Sequence, residues 1–115
     1  MASSLNTFTS RQTELTTTEQ VAYTAPSGYT AVVLLAQAAN ITSSGASVTF
    51  IVRDNSGGSP IDTELADEFV LAPHDSAGLL TGKLVLEEGN SLVALSGTNS
   101  AVKLTLSMLE TLNES

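Results

Sequence analysis

Apolar residues fall at every second position through several short stretches of the chain. In residues 101–109, Val102, Leu104, Leu106 and Met108 share one face while Lys103, Thr105 and Ser107 share the other. Leu84 and Leu86 repeat the pattern in residues 82–87, as do Val48, Phe50 and Val52 in residues 47–54. A period of two is the pattern of a strand with one buried face. Residues 92–95 lie between the turn signals Glu88-Gly89-Asn90 and Gly97-Thr98-Asn99, so the last third reads as a three-stranded antiparallel meander.

Residues 29–41 behave differently. Val32, Val33, Leu34 and Leu35 make both faces apolar, which predicts a strand buried on both sides or covered by another subunit. The turn at Ser43-Ser44-Gly45 predicts that residues 47–54 return beside it as a hairpin. Val21-Ala22-Tyr23 reads as a short strand stopped by Ala25-Pro26-Ser27-Gly28. Residues 55–60 and 72–78 are loop sequences rich in Gly, Pro, Ser and Asp. Residues 61–71 fit either one short strand near Phe69 or a helical turn through Leu65-Ala66. Strands at this spacing, with no long helix between them, predict an all-β fold: an antiparallel β-sandwich, jelly-roll-like or Ig-like, of about 7–8 strands.

The sandwich is expected as a single domain over residues 20–115. Residues 1–19 are rich in Ser and Thr, lack an apolar face, and read as an N-terminal arm or leader. Their sizeable apolar side chains are Leu5, Phe8 and Leu15. Together with Val33 and Leu35 of the doubly apolar strand, these are the candidate interface residues.

Composition narrows the functional classes. The chain has 115 residues, enough for one core, and no cysteine, which removes disulfides, thiolate nucleophiles and cysteine zinc sites. Four Lys and Arg stand against 12 Asp and Glu, a net charge of −8. Arg11, Arg53, Lys83 and Lys103 are scattered singly, so nothing here predicts a phosphate-gripping surface or direct nucleic-acid binding. Hydrophobic residues make up 42% of the chain and charged ones 14%, which opposes disorder. With 15 Ser and 15 Thr, the polar surface is hydroxyl rather than ionic. The first residues lack the basic and apolar stretches of a secretory signal. The most apolar window, residues 31–39, is far shorter than the ~20 residues of a membrane helix. Synthesis in the cytoplasm, with no membrane association, is the expectation. Asn40-Ile41-Thr42 and Asn113-Glu114-Ser115 match the glycosylation pattern and read as coincidence without such a signal.

No motif carries chemistry. His74-Asp75-Ser76 holds the residue types of a hydrolase triad, but neighbours in sequence do not reach the triad's geometry among themselves. Residues 78–84 miss the phosphate-loop spacing, and Leu84 follows the lysine where Ser or Thr is needed. Asp62, Glu64, Asp67 and Glu68 form the densest acidic cluster without the spacing of a calcium loop. No catalytic residue, cofactor or metal is expected, and the chain is read as a non-enzyme. A glycan-binding module is an alternative to a purely structural role, with Tyr23, Tyr29 and the loops 55–60 and 73–78 as its contact residues.

Two segments resemble a known family. Val21-Ala22-Tyr23-Thr24-Ala25-Pro26-Ser27-Gly28-Tyr29-Thr30-Ala31, leading into the apolar strand that ends at Ala39-Asn40, resembles the opening of small virion structural proteins of tailed bacteriophages. Gly82-Lys83-Leu84-Val85-Leu86-Glu87-Glu88-Gly89-Asn90-Ser91-Leu92 resembles a later segment of those proteins, which often carry Asp at the position of Asn90. The closing strand to Glu110 also fits, so the resemblance spans residues 21–112. It implies a β-sandwich that decorates or cements a particle, an oligomer by habit, with no catalytic residue to carry over. Its implied partners are other virion proteins, a major capsid protein or neck and tail proteins, and its implied place is the virion.

Overall fold

The computed structural model describes residues 6–113. They form nine strands: β1 (Asn6–Glu14), β2 (Gln20–Thr24), β3 (Tyr29–Asn40), β4 (Ala46–Asp54), β5 (Ile61–Leu71), β6 (Ser76–Gly78), β7 (Leu84–Leu86), β8 (Ser91–Ser96) and β9 (Val102–Leu112). Two antiparallel sheets face each other. One has the order β1-β9-β3-β6, with β7 also paired to β3; the other has the order β2-β8-β4-β5. The fold is an antiparallel β-sandwich, as the strand spacing predicts.

The pairing is nested. The first strand pairs with the last, β2 with β8, β3 with β6 and β7, and β4 with β5. When β6 and β7 are taken as one interrupted strand, this is a long hairpin rolled into two layers, the jelly-roll arrangement rather than the Ig-like one. The nesting corrects two local expectations. Residues 47–54 do not return beside residues 29–41, because β3 and β4 belong to opposite sheets. The last three strands are not a meander either, since β7, β8 and β9 alternate between sheets. Alternation assigns each residue to a face, but a short turn serves equally well to cross between layers.

The core lies between the sheets. Val48, Phe50, Leu92 and Ala94 come from one, and Ala31, Val33, Leu86, Leu104, Leu106 and Met108 from the other. Strand β3 reaches the core on both sides of a bulge. Val33 pairs with Met108 and Leu35 with Ser107, leaving Leu34 as the extra residue. The inward phase therefore switches from Ala31 and Val33 to Ala36 and Ala38, all buried. Part of what reads as a doubly apolar strand is this change of phase.

Residues 61–71 form one long edge strand, with no helical turn. Two bulges interrupt its pairing with β4, between Val48 and Phe50 and between Phe50 and Ile51. Glu68, at φ 49°, sits in the first of them and donates its N–H to Thr49 Oγ1 at 3.0 Å. Bulges and acidic side chains are standard devices against edge-to-edge pairing, which accounts for the acidic cluster of this strand. Gly28 closes the β2–β3 turn at φ 84°, where Tyr29 N–H donates to Pro26 O at 3.0 Å. A turn with positive φ at that position favours glycine.

The segment expected as an arm is partly sheet. Residues 6–14 pair along their whole length with β9, from Asn6 opposite Thr111 to Glu14 opposite Lys103. The sequence hides this strand because Thr, Ser and Gln on both faces leave no alternation to read, while the backbone ladder needs none.

Candidate functional site

Opposed residues in a ladder point to the same face, so register defines the outer surface of the five-stranded sheet. Phe8 lies opposite Leu109, Leu109 opposite Val32, and Val32 opposite Val85. This is an unbroken apolar row across four strands, facing away from the core. Phe8 is 75% exposed and Val85 61% exposed. The next row runs Ser10, Ser107 and Leu35, with the bulged Leu34 beside it. Leu34 and Leu35 are 38% and 41% exposed.

Beside these two leucines the edge of β3 lacks a partner strand, although Ala36 O accepts from Leu79 N–H at 2.7 Å. Strand β7 pairs with residues 31–33 and β6 with residues 37–39, so residues 34–36 have no strand partner on that side. A shallow depression of about 310 Å³ lies there, lined by Leu34, Leu35 and Ala36 on β3 and by Leu80 and Lys83 on the connection between β6 and β7.

The charge distribution distinguishes this face. Among the described residues its outward positions on β1, β9, β3 and β7 carry one acid, Glu14, and that acid stands opposite Lys103. The acids of the middle of the chain, from Asp54 to Glu68, lie on the other sheet and its edge, and Glu87 and Glu88 lie in the β7–β8 connection. Arg53 pairs there with Asp62 through Nε at 2.7 Å and with Glu19 through Nη2 at 2.6 Å. The outer face of the second sheet is also closed to a partner at its centre, since Val93 and Ile51, opposed in register, are buried within the chain. A protein of net charge −8 thus keeps one broad face neutral, hydroxyl-rich and apolar. Such a face meets another surface without like-charge repulsion.

The candidate interface residues separate on this geometry. Phe8 and Leu35 lie on the exposed face. Val33 and Leu15 are fully buried in the chain's own core and have no surface to offer a neighbour. Leu5 lies outside the described residues. Val85, Leu109 and Val32 join the face only through register, which the sequence does not display.

Other candidate chemistry takes structural roles. His74 sits in the connection after β5, and Asp75 Oδ1 accepts from Ser76 N–H at 2.8 Å, a local loop contact. Among the described residues no three His, Cys, Asp or Glu gather as metal ligands. Tyr23 is buried, its hydroxyl donating to Glu110 Oε2 at 2.5 Å, so it is not a platform for a sugar ring. The loops 55–60 and 73–78 lie toward opposite ends of the β4–β5 pair, because Asp54 opposes Ile61 at one end and Ala46 opposes Leu71 at the other. They do not form one site. Asn40 is buried, with the two hydrogens of its amide nitrogen shared among Ser44 O at 2.8 Å, Ala72 O at 3.1 Å and Leu71 O at 3.2 Å. Its nitrogen is occupied, so the folded chain does not present Asn40 for glycosylation.

No family model and no curated protein matches the sequence. Solved structures match the fold. A chain of the acid-stable capsid of Helicobacter pylori bacteriophage KHP30 is similar at a TM-score of 0.57 and 14% identity, over 96% of this chain and 90% of that one. A chain of the Bacillus endospore appendages, which are disulfide-linked pili, is similar at 0.54 and 16% identity, over 96% and 88%. A chain of the T13 IBDV viral particle is similar at 0.55 and 11% identity; the match covers 97% of this chain but 32% of that longer one. At these identities the likeness is one of fold: a small all-β domain shared with capsid and pilus proteins.

Proposed function

We propose that the protein is a non-enzymatic structural component of a phage virion, a head decoration or cement protein that stabilises the shell by subunit packing. The observation that carries this reading is the neutral outer face of the five-stranded sheet, with its row from Phe8 to Val85, on a chain of net charge −8. The phage resemblance of residues 21–112 and the fold shared with a phage capsid chain support it. On this reading the protein is made in the host cytoplasm, joins the particle as an oligomer, and presses this face against other virion proteins. Fully burying an exposed Leu, Val or Phe side chain contributes about 1.5–3 kcal/mol, and the partly exposed side chains of this face would each contribute a fraction of that against a neighbour.

Quantitative mass spectrometry of purified particles tests the reading. A copy number commensurate with the capsid lattice is the expected result, and absence from the particle rejects it. A low copy number, fitting a neck, tail or fibre, would keep the virion role and reject the cement role.

A further inference from the structure

The chain changes character between Glu14 and Leu15. From Leu15 onward it is anchored. Leu15 is fully buried, its N–H donates to Val102 O at 2.9 Å, and its carbonyl accepts from Ser100 N–H at 3.1 Å. Thr16 O accepts from Ser96 N–H at 2.9 Å, and Thr17 N–H donates to Asn99 Oδ1 at 2.8 Å.

Before that point β1 contributes nothing to the core. Its inward positions are Thr7, Thr9, Arg11 and Thr13, opposite Glu110, Met108, Leu106 and Leu104 of β9. Its one large apolar side chain, Phe8, points outward. The side-chain tethers are Arg11, 5.6 Å from the centre of the Tyr23 ring, and Asn6 Oδ1, which accepts from the Thr111 hydroxyl at 3.1 Å. A strand whose inward face is polar and whose one large apolar side chain is exposed has no buried set to fix its partner, and weakly specified strands of this kind are prone to alternate pairing and swapping. β1 also carries neither the bulges nor the acidic cluster that guard β5 at the other sheet's edge.

We infer that β1 is an exchangeable strand: it leaves its own β9 and completes the same ladder on β9 of a second copy of this chain. The hinge is the Glu14–Leu15 bond. Every contact β1 makes at home is remade on the second copy, so the exchange is decided by concentration. A packed array of copies favours it. The inference asks only for that second copy and does not depend on the virion reading.

The absence of cysteine from the chain makes a clean test possible. Ser10 and Ser107 oppose each other on β1 and β9. Cα atoms of opposed antiparallel residues lie about 4.5–5.5 Å apart, within disulfide range. The full-length double variant Ser10→Cys/Ser107→Cys is first oxidised in dilute solution, where quantitative intrachain closure shows that the pair is competent. The two single variants, one isotopically labelled, are then mixed, oxidised over a range of concentrations and analysed by peptide mass spectrometry. Exchange predicts that the link between positions 10 and 107 exceeds the 10–10 and 107–107 links by about tenfold or more, and grows with concentration. A 10–107 link no more abundant than the other two overturns the proposal. Gln12→Cys with Thr105→Cys, also opposed in register, repeats the test one row along should the first pair fail to close. Neither result bears on whether particles contain the protein.

Discussion

Tyr23 of β2 and Glu110 of β9 belong to different sheets, and the phenol hydroxyl donates to Glu110 Oε2 at 2.5 Å. This bond closes the sandwich on the side where β1 lies, with Arg11 over the Tyr23 ring. Burial, the bond to Glu110 and the charge of that carboxylate together push the Tyr23 phenol well above the ordinary tyrosine range, against a smaller opposing effect from Arg11.

A pH dependence follows. The unfolded chain releases the Tyr23 proton near pH ~10, while the folded chain holds it. Above that pH the native state binds more protons than the unfolded state, so stability is fully present below pH ~10 and falls as pH rises beyond it. In a Tyr29→Phe background, which leaves one tyrosine, tyrosinate absorbance should appear well above pH 10. Adding Glu110→Gln should bring it down. An unshifted curve in the Tyr29→Phe protein would remove the bond from the account.

Burial separates Leu106 from Phe8. Leu106 is fully buried and Phe8 is 75% exposed. Leu106→Ala should cost about 2–5 kcal/mol in chemical denaturation, and Phe8→Ala should stay within about 0.5 kcal/mol of the parent. Val33→Asp should not fold, because it places an unpaired charge in the core. Leu35→Asp should keep a native circular dichroism spectrum and lose affinity for whatever the outer face binds. Equal losses of stability from Leu106→Ala and Phe8→Ala would contradict the assignment of faces.

The strands that period two reveals are those with an unbroken buried face, such as β9 through Leu104, Leu106 and Met108. Where a bulge resets the phase the pattern fails. Leu34 shifts the phase of β3, so residues 29–41 look apolar all round, and two bulges in β5 conceal an eleven-residue strand. Strand β1 is silent for the opposite reason, since a ladder of Thr, Ser and Gln alternates nothing. Pairing is not legible at all in β3 and β4, because their alternation is the same whether a turn joins neighbours or crosses between layers. The candidate face inherits these limits. Phe8 and Leu35 are visible as apolar residues in odd places, but their alignment with Leu109, Val32 and Val85 exists only in the register.

Arg53 holds Asp62 through two hydrogen bonds, at 2.7 and 2.9 Å, and keeps its carboxyl below the usual carboxylate range. A depressed folded value means that the pair's contribution is present above pH ~4 and is lost as pH falls through the lowered value. Carbon-detected titration of Asp62 should show the low value in the parent and an ordinary one in Arg53→Met. High salt should shrink the difference, because the pair is exposed enough to be screened. A low value that survives in Arg53→Met would assign the shift to another cause.

Asn40 joins two segments of backbone, the turn after β3 and the chain leaving β5. Its amide nitrogen serves carbonyls of Ser44, Leu71 and Ala72, and its Oδ1 accepts from Thr42 N–H at 2.9 Å and Thr42 Oγ1 at 2.8 Å. Both ends of the amide are needed, since one side of the pocket is lined by carbonyl oxygens and the other by donors. Asn40→Ala leaves these groups short of partners in a place where water replaces them poorly, and should cost about 2–3 kcal/mol. Asn40→Asp keeps the size and the acceptor but turns a carboxylate oxygen toward the carbonyls of Leu71 and Ala72. That variant should be destabilised at neutral pH and regain part of its stability as the carboxyl is protonated, because the neutral acid again offers a donor. Thermal melts of both variants at pH 7 and pH 4 check this. Recovery in Asn40→Asp but not in Asn40→Ala is the expected pattern, and equal melting temperatures for Asn40→Asp and the parent at pH 7 would show that the amide donor is dispensable.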